Sequence, residues 1–176
     1  AAKLFNWQGS RATTLADIAG SMNLTKTCLY YYVNNKQDLI YYCYVASCDL
    51  WLEGAEQSQR LAGSGLDKVM AMIVWHLERY MQTLQGRASH PAMLAEVSTL
   101  DSAHVDDIQR RWLAVFKLCQ SMVDEGIEDG SMVALNSEVM VLAVFSVLHW
   151  LPVWMNRAHA ANAARVIEGV MDILVH

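Results

Sequence analysis

The side chains best suited to binding chemistry lie together in residues 25–36, TKTCLYYYVNNK. Hydroxyl, amine and phenol groups dominate this segment, and all of them can donate hydrogen bonds to base edges or to phosphates. Thr25 can cap a short helix from Lys26 to about Val33, on which Lys26, Thr27 and Tyr31 would lie early and outward. The segment therefore predicts a surface that contacts double-stranded DNA.

A second short helix is predicted just before this segment, because apolar residues recur there at helical spacing. They are Leu15, Ile18, Ala19 and Met22. Thr14 can cap this helix, with Asp17 as its capping-box partner. Asn23 tolerates the left-handed backbone of a turn between helices, and Leu24 is predicted to fill that turn as a core residue. The pattern predicts a helix-turn-helix, whose second helix enters the DNA major groove.

These residues resemble the TetR family of one-component transcriptional regulators. The resemblance is carried by Ala2-Lys3-Leu4-Phe5, Gly9, Thr13-Thr14, Asp17-Ile18-Ala19, Leu24-Thr25-Lys26, Leu29-Tyr30-Tyr31-Tyr32 and Asn35-Lys36. Two positions depart from the family pattern. Asn23 stands where glycine is commonest, and Cys28 stands where a small or hydroxyl residue is common. The departure at Cys28 is expected to alter operator preference.

The resemblance implies how such a module would hold an operator, which is palindromic or pseudo-palindromic in this family. Base contacts are expected from Lys26, Thr27 and Tyr31, with Cys28 as a further candidate. Phosphate contacts are expected from four positions, namely Thr14, Tyr30, Tyr32 and Lys36. A hydroxyl at a helix N-terminus and a lysine that opens the next helix suit this task. The alternative for the tyrosines, and for Tyr32 most of all, is packing within the module.

Net charge is divided unevenly along the chain. Residues 1–44 hold four basic and two acidic side chains, a net charge of +2, whereas residues 45–176 hold nine basic and sixteen acidic side chains, a net charge of −7. The basic part is the expected contact with phosphates, and the acidic part should face away from them. The chain begins without Met inside a predicted helix, so a further N-terminal segment is expected to add positive charge, as is a second subunit.

The remainder of the chain predicts an all-α fold in two domains, a DNA-binding domain over residues 1–46 and a ligand-binding and dimerisation domain over residues 47–176. Helical spacing or length predicts five further helices: Lys36 to about Leu61, Leu66 to about Leu84, His104 to Glu125, Ser137 to Met155 and Ala161 to about Val175. No apolar run approaches the ~18 residues of a membrane span. The four cysteines have no metal-ligand spacing, and together with abundant Met they favour a reducing cytoplasm. No cofactor is predicted.

The larger domain is expected to hold a small-molecule effector, because the resemblance places an effector cavity on these helices. The candidate lining residues are Trp75, His76, Tyr80, Trp112, Phe116 and Trp150. Aromatic residues at helical spacing are also ordinary core residues, which is the alternative for each of them. Residues 147–154, VLHWLPVW, resemble the penultimate helix of TetR-type regulators of fatty-acid and acyl-CoA metabolism. This weaker resemblance favours an acyl-CoA or fatty acid as the effector.

A homodimer is the expected working species, because the helix over residues 137–155 is too apolar for burial on one side. With the last helix it would form a four-helix bundle between two subunits. A repressor released by its ligand is the leading interpretation. A redox sensor acting through Cys28 and an efflux regulator that responds to diverse apolar compounds stay open as alternatives. An enzyme is not expected, because the sequence contains no phosphate-binding glycine loop, no GxSxG and no HExxH.

Overall fold

The computed structural model describes residues 1–92, 97, 100–155, 169 and 172, and for residues 150–155 it describes the backbone alone. Seven helices follow in order: α1 (Ala2–Ala12), α2 (Leu15–Ser21), α3 (Lys26–Leu29), α4 (Lys36–Gln59), α5 (Gly65–Leu84), α6 (Ser102–Glu128) and α7 (Ser137–Met155). No strand occurs within these residues. The predicted all-α fold is confirmed. Of the helix predicted over residues 161–175, the structure describes Gly169 and Asp172, both with helical backbone, and the rest lies outside the described residues.

The helix-turn-helix forms through the caps that the sequence predicts. The backbone N–H of Asp17 donates to the Thr14 hydroxyl at 3.1 Å, and the backbone N–H of Thr14 donates to the Asp17 carboxylate at 2.8 Å. Asn23 adopts the left-handed conformation, with φ of +55°. The core under the motif consists of Ile18, Ala19, Leu29 and Val33.

Two predictions within this motif are wrong. Leu24 is 38% exposed and is therefore not a core residue. The second helix ends at Leu29 rather than near Val33, because the chain closes into tight turns in which Tyr31 N–H donates to the Cys28 carbonyl and Tyr32 N–H to the Leu29 carbonyl. These turns bring the chain round to the start of α4 within six residues.

α4 is a single continuous helix that leaves the helix-turn-helix and enters the larger domain. It runs through residue 46, where the sequence predicts a domain boundary, and ends at Gln59, slightly before the predicted Leu61. Its most extensive packing is against α6, and α5 is next. Ile40, Tyr44 and Cys48 on its first half pack with Ile108 of α6, whereas Trp51 and Ala55 on its second half enter the main core.

The start of α5 and the end of α6 approach each other closely. A Cβ atom at Gly65 would overlap the backbone of Gly126, so this contact requires glycine. Asp129 accepts a hydrogen bond from the Gly65 N–H at 2.8 Å, and Lys68 forms an ion pair with Glu125. α6 extends past both predicted ends, because Asp101 caps it at the N-terminus and its last turn packs under α5.

α7 has the predicted bounds and completes the main core with Met140, Val141, Val144 and Leu148. Among the described residues, no helix combines the length and the apolar character that crossing a bilayer requires.

Candidate DNA-binding face and effector cleft

The candidate DNA-binding face, called the DNA-binding face below, consists of exposed side chains on α3 and the turn that follows it. Its members are Thr25, Lys26, Thr27, Cys28, Tyr30, Tyr31 and Tyr32. Tyr31 is 86% and Tyr32 is 76% exposed, although their neighbours Leu29 and Val33 are buried. None of the three tyrosines is packed in the core, so the packing alternative does not describe Tyr32. Their exposed hydroxyl groups and the neighbouring Lys26 ammonium are free to donate hydrogen bonds of the kind that contact phosphates and base edges.

Local contacts order this face before any partner binds. The Thr25 hydroxyl accepts from the backbone N–H of Cys28 at 3.2 Å and so caps α3. The Lys26 ammonium lies 5.7 Å from the centre of the Tyr30 ring, which is within the range of a cation–π contact. The cap and this contact limit the freedom of Lys26, and less entropy is then lost on binding.

Thr14 and Lys36, the other two predicted phosphate contacts, already have protein partners. The Thr14 hydroxyl donates to Asp17 at 2.6 Å, and the Lys36 ammonium donates to the Thr13 carbonyl at 3.0 Å. Lys36 therefore ties the start of α2 to the start of α4. A lysine ammonium has three donors, so this bond leaves donors for a phosphate.

An open apolar cleft of about 380 Å³ lies between α6 and α7. Its lining residues are Val97, Ile108, Gln109, Trp112, Leu113, Phe116 and Phe145. Gln109 is the single amide or charged side chain among these described lining residues. Both the volume and the apolar lining are typical of sites for small hydrophobic ligands.

An aromatic cluster joins the cleft to the core. Trp51 of α4 lies 5.0 Å from Phe145 and 5.8 Å from Trp112, measured between ring centres. The His76 ring also contacts Trp51, with 4.0 Å between ring centres and 35° between ring planes. Trp51 thus connects α4, which begins directly after the candidate DNA-binding face, with the walls of the cleft.

Two family profiles match the chain. One, described as bacterial regulatory proteins of the tetR family, matches residues 1–43, and the other, described as a tetracyclin repressor-like C-terminal domain, matches residues 62–176. The chain belongs to the TetR family. Proteins of this family are DNA-binding regulators and not enzymes. No curated protein sequence matches the chain at a significant level.

Several solved structures share this fold at low sequence identity. The regulator PfmR from Thermus thermophilus superposes with a TM-score of 0.77 at 20% identity, covering 99% of this chain and 91% of the other. AibR in complex with isovaleryl coenzyme A and operator DNA gives a TM-score of 0.76 at 16% identity, covering 99% and 93%. A regulator from Bordetella parapertussis gives 0.75 at 20% identity, covering 97% and 90%.

The candidate effector residues of this TetR-family chain fall into three groups. Trp112 and Phe116 line the cleft. Trp75, His76 and Tyr80 lie on α5 outside the lining, where Tyr80 is a buried core residue and the Trp75 indole N–H donates to Gln57 at 3.1 Å. The side chain of Trp150 lies outside the described residues.

Sequence reasoning missed Phe145 and the α6 residues beside Trp112. Ile108, Trp112 and Phe116 recur at four-residue spacing, which was a usable signal for one lining wall. Phe145 gave no comparable signal, because α7 is apolar nearly all round and its faces look alike in sequence.

Burial keeps His76 neutral at physiological pH. Its Nδ1 donates to the Met72 carbonyl at 2.8 Å, and its Nε2 is excluded from solvent and has no hydrogen-bond partner among the residues that the structure describes. Desolvation lowers the pKa of His76 from its ordinary value of 6.5 to about 4, although the hydrogen bond to Met72 raises this pKa by a smaller amount.

Burial raises the pKa of Cys48 and of Cys119 to about 12, so both thiols stay protonated. No cluster of metal-binding side chains occurs in the part of the chain that the structure describes.

Acidification is expected to destabilise the protein through His76. Because the folded pKa is lowered, the unfolded chain takes up the proton first, and stability is lost as the pH falls from 6.5 towards 4. At pH 5 this loss is about 2 kcal/mol relative to pH 7.5. Urea unfolding at the two pH values should show a correspondingly smaller loss for His76→Phe. Trp75→Phe, a change at the neighbouring non-titrating residue, should keep the wild-type pH dependence. Equal losses in wild type and His76→Phe would refute the assignment.

Proposed function

We propose that this TetR-family protein is a repressor that binds a palindromic or pseudo-palindromic operator and leaves it when a hydrophobic small molecule occupies the α6–α7 cleft. The observation that supports this function best is the pairing of an exposed, ordered DNA-binding face with an apolar cleft through one continuous helix, α4. An acyl-CoA or fatty acid is the leading effector.

The DNA-binding face supports separate roles for its residues. Lys26, Thr27 and Cys28 on α3, together with Tyr31 in the turn that follows it, would contact base edges in the major groove. Thr14, Tyr30, Tyr32 and Lys36 would contact the phosphate backbone on either side. The face belongs to the weakly basic part of the chain, whereas the acidic part lies along α4 to α7.

DNA binding should respond differently to a phosphate contact and to a base contact. Lys36→Ala is expected to weaken binding to all duplexes alike and to reduce the slope of log affinity against log salt by about one unit. Lys26→Ala or Tyr31→Ala should cost about 1–3 kcal/mol at the cognate operator and relax its specificity. Fluorescence anisotropy across a salt series measures both effects on an operator selected from random duplexes.

Lys117→Ala is the matched control, because Lys117 is an exposed lysine of the larger domain. It should leave operator affinity and the salt slope unchanged. Wild-type affinity in a variant that lacks both Lys26 and Lys36 would exclude this face as the DNA-binding surface.

The acyl interpretation is supported by the chemistry of the cleft. Its described lining offers apolar and aromatic surface with Gln109 as the polar exception, which suits a hydrocarbon chain. AibR, which shares this fold, has been solved with isovaleryl coenzyme A and operator DNA. Burial of a chain contributes about 0.8 kcal/mol per CH₂ group, which is enough for micromolar affinity after association costs.

Release from the operator should depend on acyl chain length. We expect each added CH₂ of an acyl-CoA to lower the releasing concentration by about fourfold until the cleft is full. Acetyl- to dodecanoyl-CoA and the matching free fatty acids should be titrated against the operator complex, with tryptophan quenching as the direct measure of binding near Trp112. Phe116→Trp should shorten the longest chain accepted, whereas Trp75→Phe should not.

Release that ignores chain length would exclude the acyl effector and leave the DNA-binding role intact. Release by many unrelated apolar compounds would favour an efflux regulator. Release by a thiol oxidant, abolished in Cys28→Ser, would favour the redox alternative, which the exposure of Cys28 permits.

A homodimer is supported by the outer face of α7. Val139 is 62% and Leu142 is 51% exposed, one turn apart on the helix, and Leu135 just before it is also exposed. Leu148, by contrast, packs in the main core of the same chain. A charge at Leu148 would therefore disturb folding, and Leu142 is the better position for testing the dimer.

Leu142→Glu is expected to yield monomers that no longer bind a two-half-site operator, because the charge would be buried between subunits. Val74→Glu is the control, since Val74 is a comparably exposed apolar residue on α5. Sedimentation velocity at micromolar concentration measures the species. A monomeric wild type that binds the operator fully would contradict the dimer.

A further inference from the structure

A polar network joins α4 to α6 beside the cleft. The Tyr41 hydroxyl of α4 donates to Asp107 Oδ2 of α6 at 2.9 Å. Arg111 donates to the same Asp107 oxygen at 2.7 Å through Nε and reaches back to Asp49 of α4 at 2.9 Å through Nη1. We call Tyr41, Asp49, Asp107 and Arg111 the α4–α6 network.

The network fixes the two helices at two separate points. Tyr41 and Asp49 are eight residues apart on α4, which is about 12 Å along a helix. The His104 ring of α6 stacks on Tyr41, with 4.0 Å between ring centres and 20° between planes. Hydrogen bonds from Arg111 and Tyr41 hold the pKa of Asp107 below its ordinary range, so this carboxylate stays charged. Attachment at two points resists both sliding and tilting of α4 against α6.

The network and the cleft use adjacent residues of α6. Asp107 and Arg111 belong to the network, whereas Ile108, Gln109 and Trp112 line the cleft. A molecule that pushes on the cleft wall therefore displaces the backbone that carries the network. The other helix of the network, α4, begins at Lys36, directly after the DNA-binding face.

We propose that the α4–α6 network is the coupling element of this regulator, with Tyr41 and Arg111 as the positioning residues that transmit occupancy between the cleft and the DNA-binding face. The proposal rests on the proposed function. Coupling between two sites is reciprocal, so operator binding must alter α6 just as cleft binding alters the DNA-binding face. The network can consequently be tested with DNA as the only ligand.

The test is hydrogen exchange of the dimer with and without an operator selected from random duplexes by the wild-type protein. In wild type, operator binding should slow amide exchange in residues 15–33, which contact DNA, and also in residues 102–116 of α6. Tyr41→Phe, which keeps the ring and removes the hydroxyl, and Arg111→Met should lose the slowing in residues 102–116 while residues 15–33 stay protected.

The chain supplies a matched control for each variant. Tyr42 is the exposed neighbour of Tyr41 and lies outside the network, so Tyr42→Phe should behave as wild type. Arg110 pairs with Asp107 at 3.0 Å but lies on the same helix and makes no bridge to α4 among the described residues, so Arg110→Met should also behave as wild type. Melting temperatures identify any variant that is merely destabilised.

A second measurement uses the acyl-CoA series. The ratio of operator affinities without and with the most effective acyl-CoA should fall by about fivefold or more in Tyr41→Phe and Arg111→Met, as expected when a coupling of ordinary size is lost. Direct quenching by that acyl-CoA on the DNA-free protein should change little.

Wild-type protection confined to residues 15–33, or retained α6 protection in both Tyr41→Phe and Arg111→Met, would overturn the network proposal and leave the proposed function standing. Failure of the wild type to bind any duplex would overturn the proposed function, and the network proposal with it.

Discussion

The packing of α4 on α6 is the contact on which the rest of this structure depends. α4 begins directly after the DNA-binding face and contributes Trp51 and Ala55 to the main core near its end. Because the helix is continuous, a small rotation of its core half is converted into a displacement of the face. Successive major grooves lie one helical turn of DNA apart, so two faces in a dimer tolerate little change in their separation. Under the proposed function, the position of α4 therefore affects operator binding directly.

Two kinds of interaction hold this contact, and they differ in function. Apolar burial of Ile40, Tyr44 and Cys48 against α6 is non-directional and permits small shifts at low cost. The polar pairs of Tyr41 and Arg111 are directional, and they fix one relative position of the helices. Partly exposed ion pairs contribute little net stability, so their main effect is on geometry. A helix pair held in this way can change arrangement without unfolding, which a ligand-responsive regulator requires.

The contact between the start of α5 and the end of α6 restricts movement of these two helices. Gly65 and Gly126 bring the start of α5 against the last turns of α6, and Asp129 and Lys68 add polar bonds across the same contact. α6 is therefore anchored at its C-terminal end, while its first half borders the cleft. Movement caused by a ligand would be concentrated in that first half, which is also the part that contacts α4.

The sequence by itself determined the all-α class, the helix-turn-helix and its caps, because each depends on nearby residues. Thr14 with Asp17, Thr25 and Asn23 act within four positions of their partners, and their geometry followed from local backbone chemistry. The exact end of α3 and the exposure of Leu24 were not predictable in this way, because both are set by how the turn meets α4. Which aromatic residues meet at the cleft was decided only by the tertiary structure.

Trp112 and Phe116 of α6 line the cleft together with Phe145 of α7, a helix whose faces look alike in sequence. Trp75, His76 and Tyr80 have other neighbours. Tyr41, Asp49, Asp107 and Arg111 are separated by up to seventy positions in the chain, so their meeting depends on how two distant helices pack. Local propensity fixes which residues form a helix, but burial against distant segments decides what each face of it contacts.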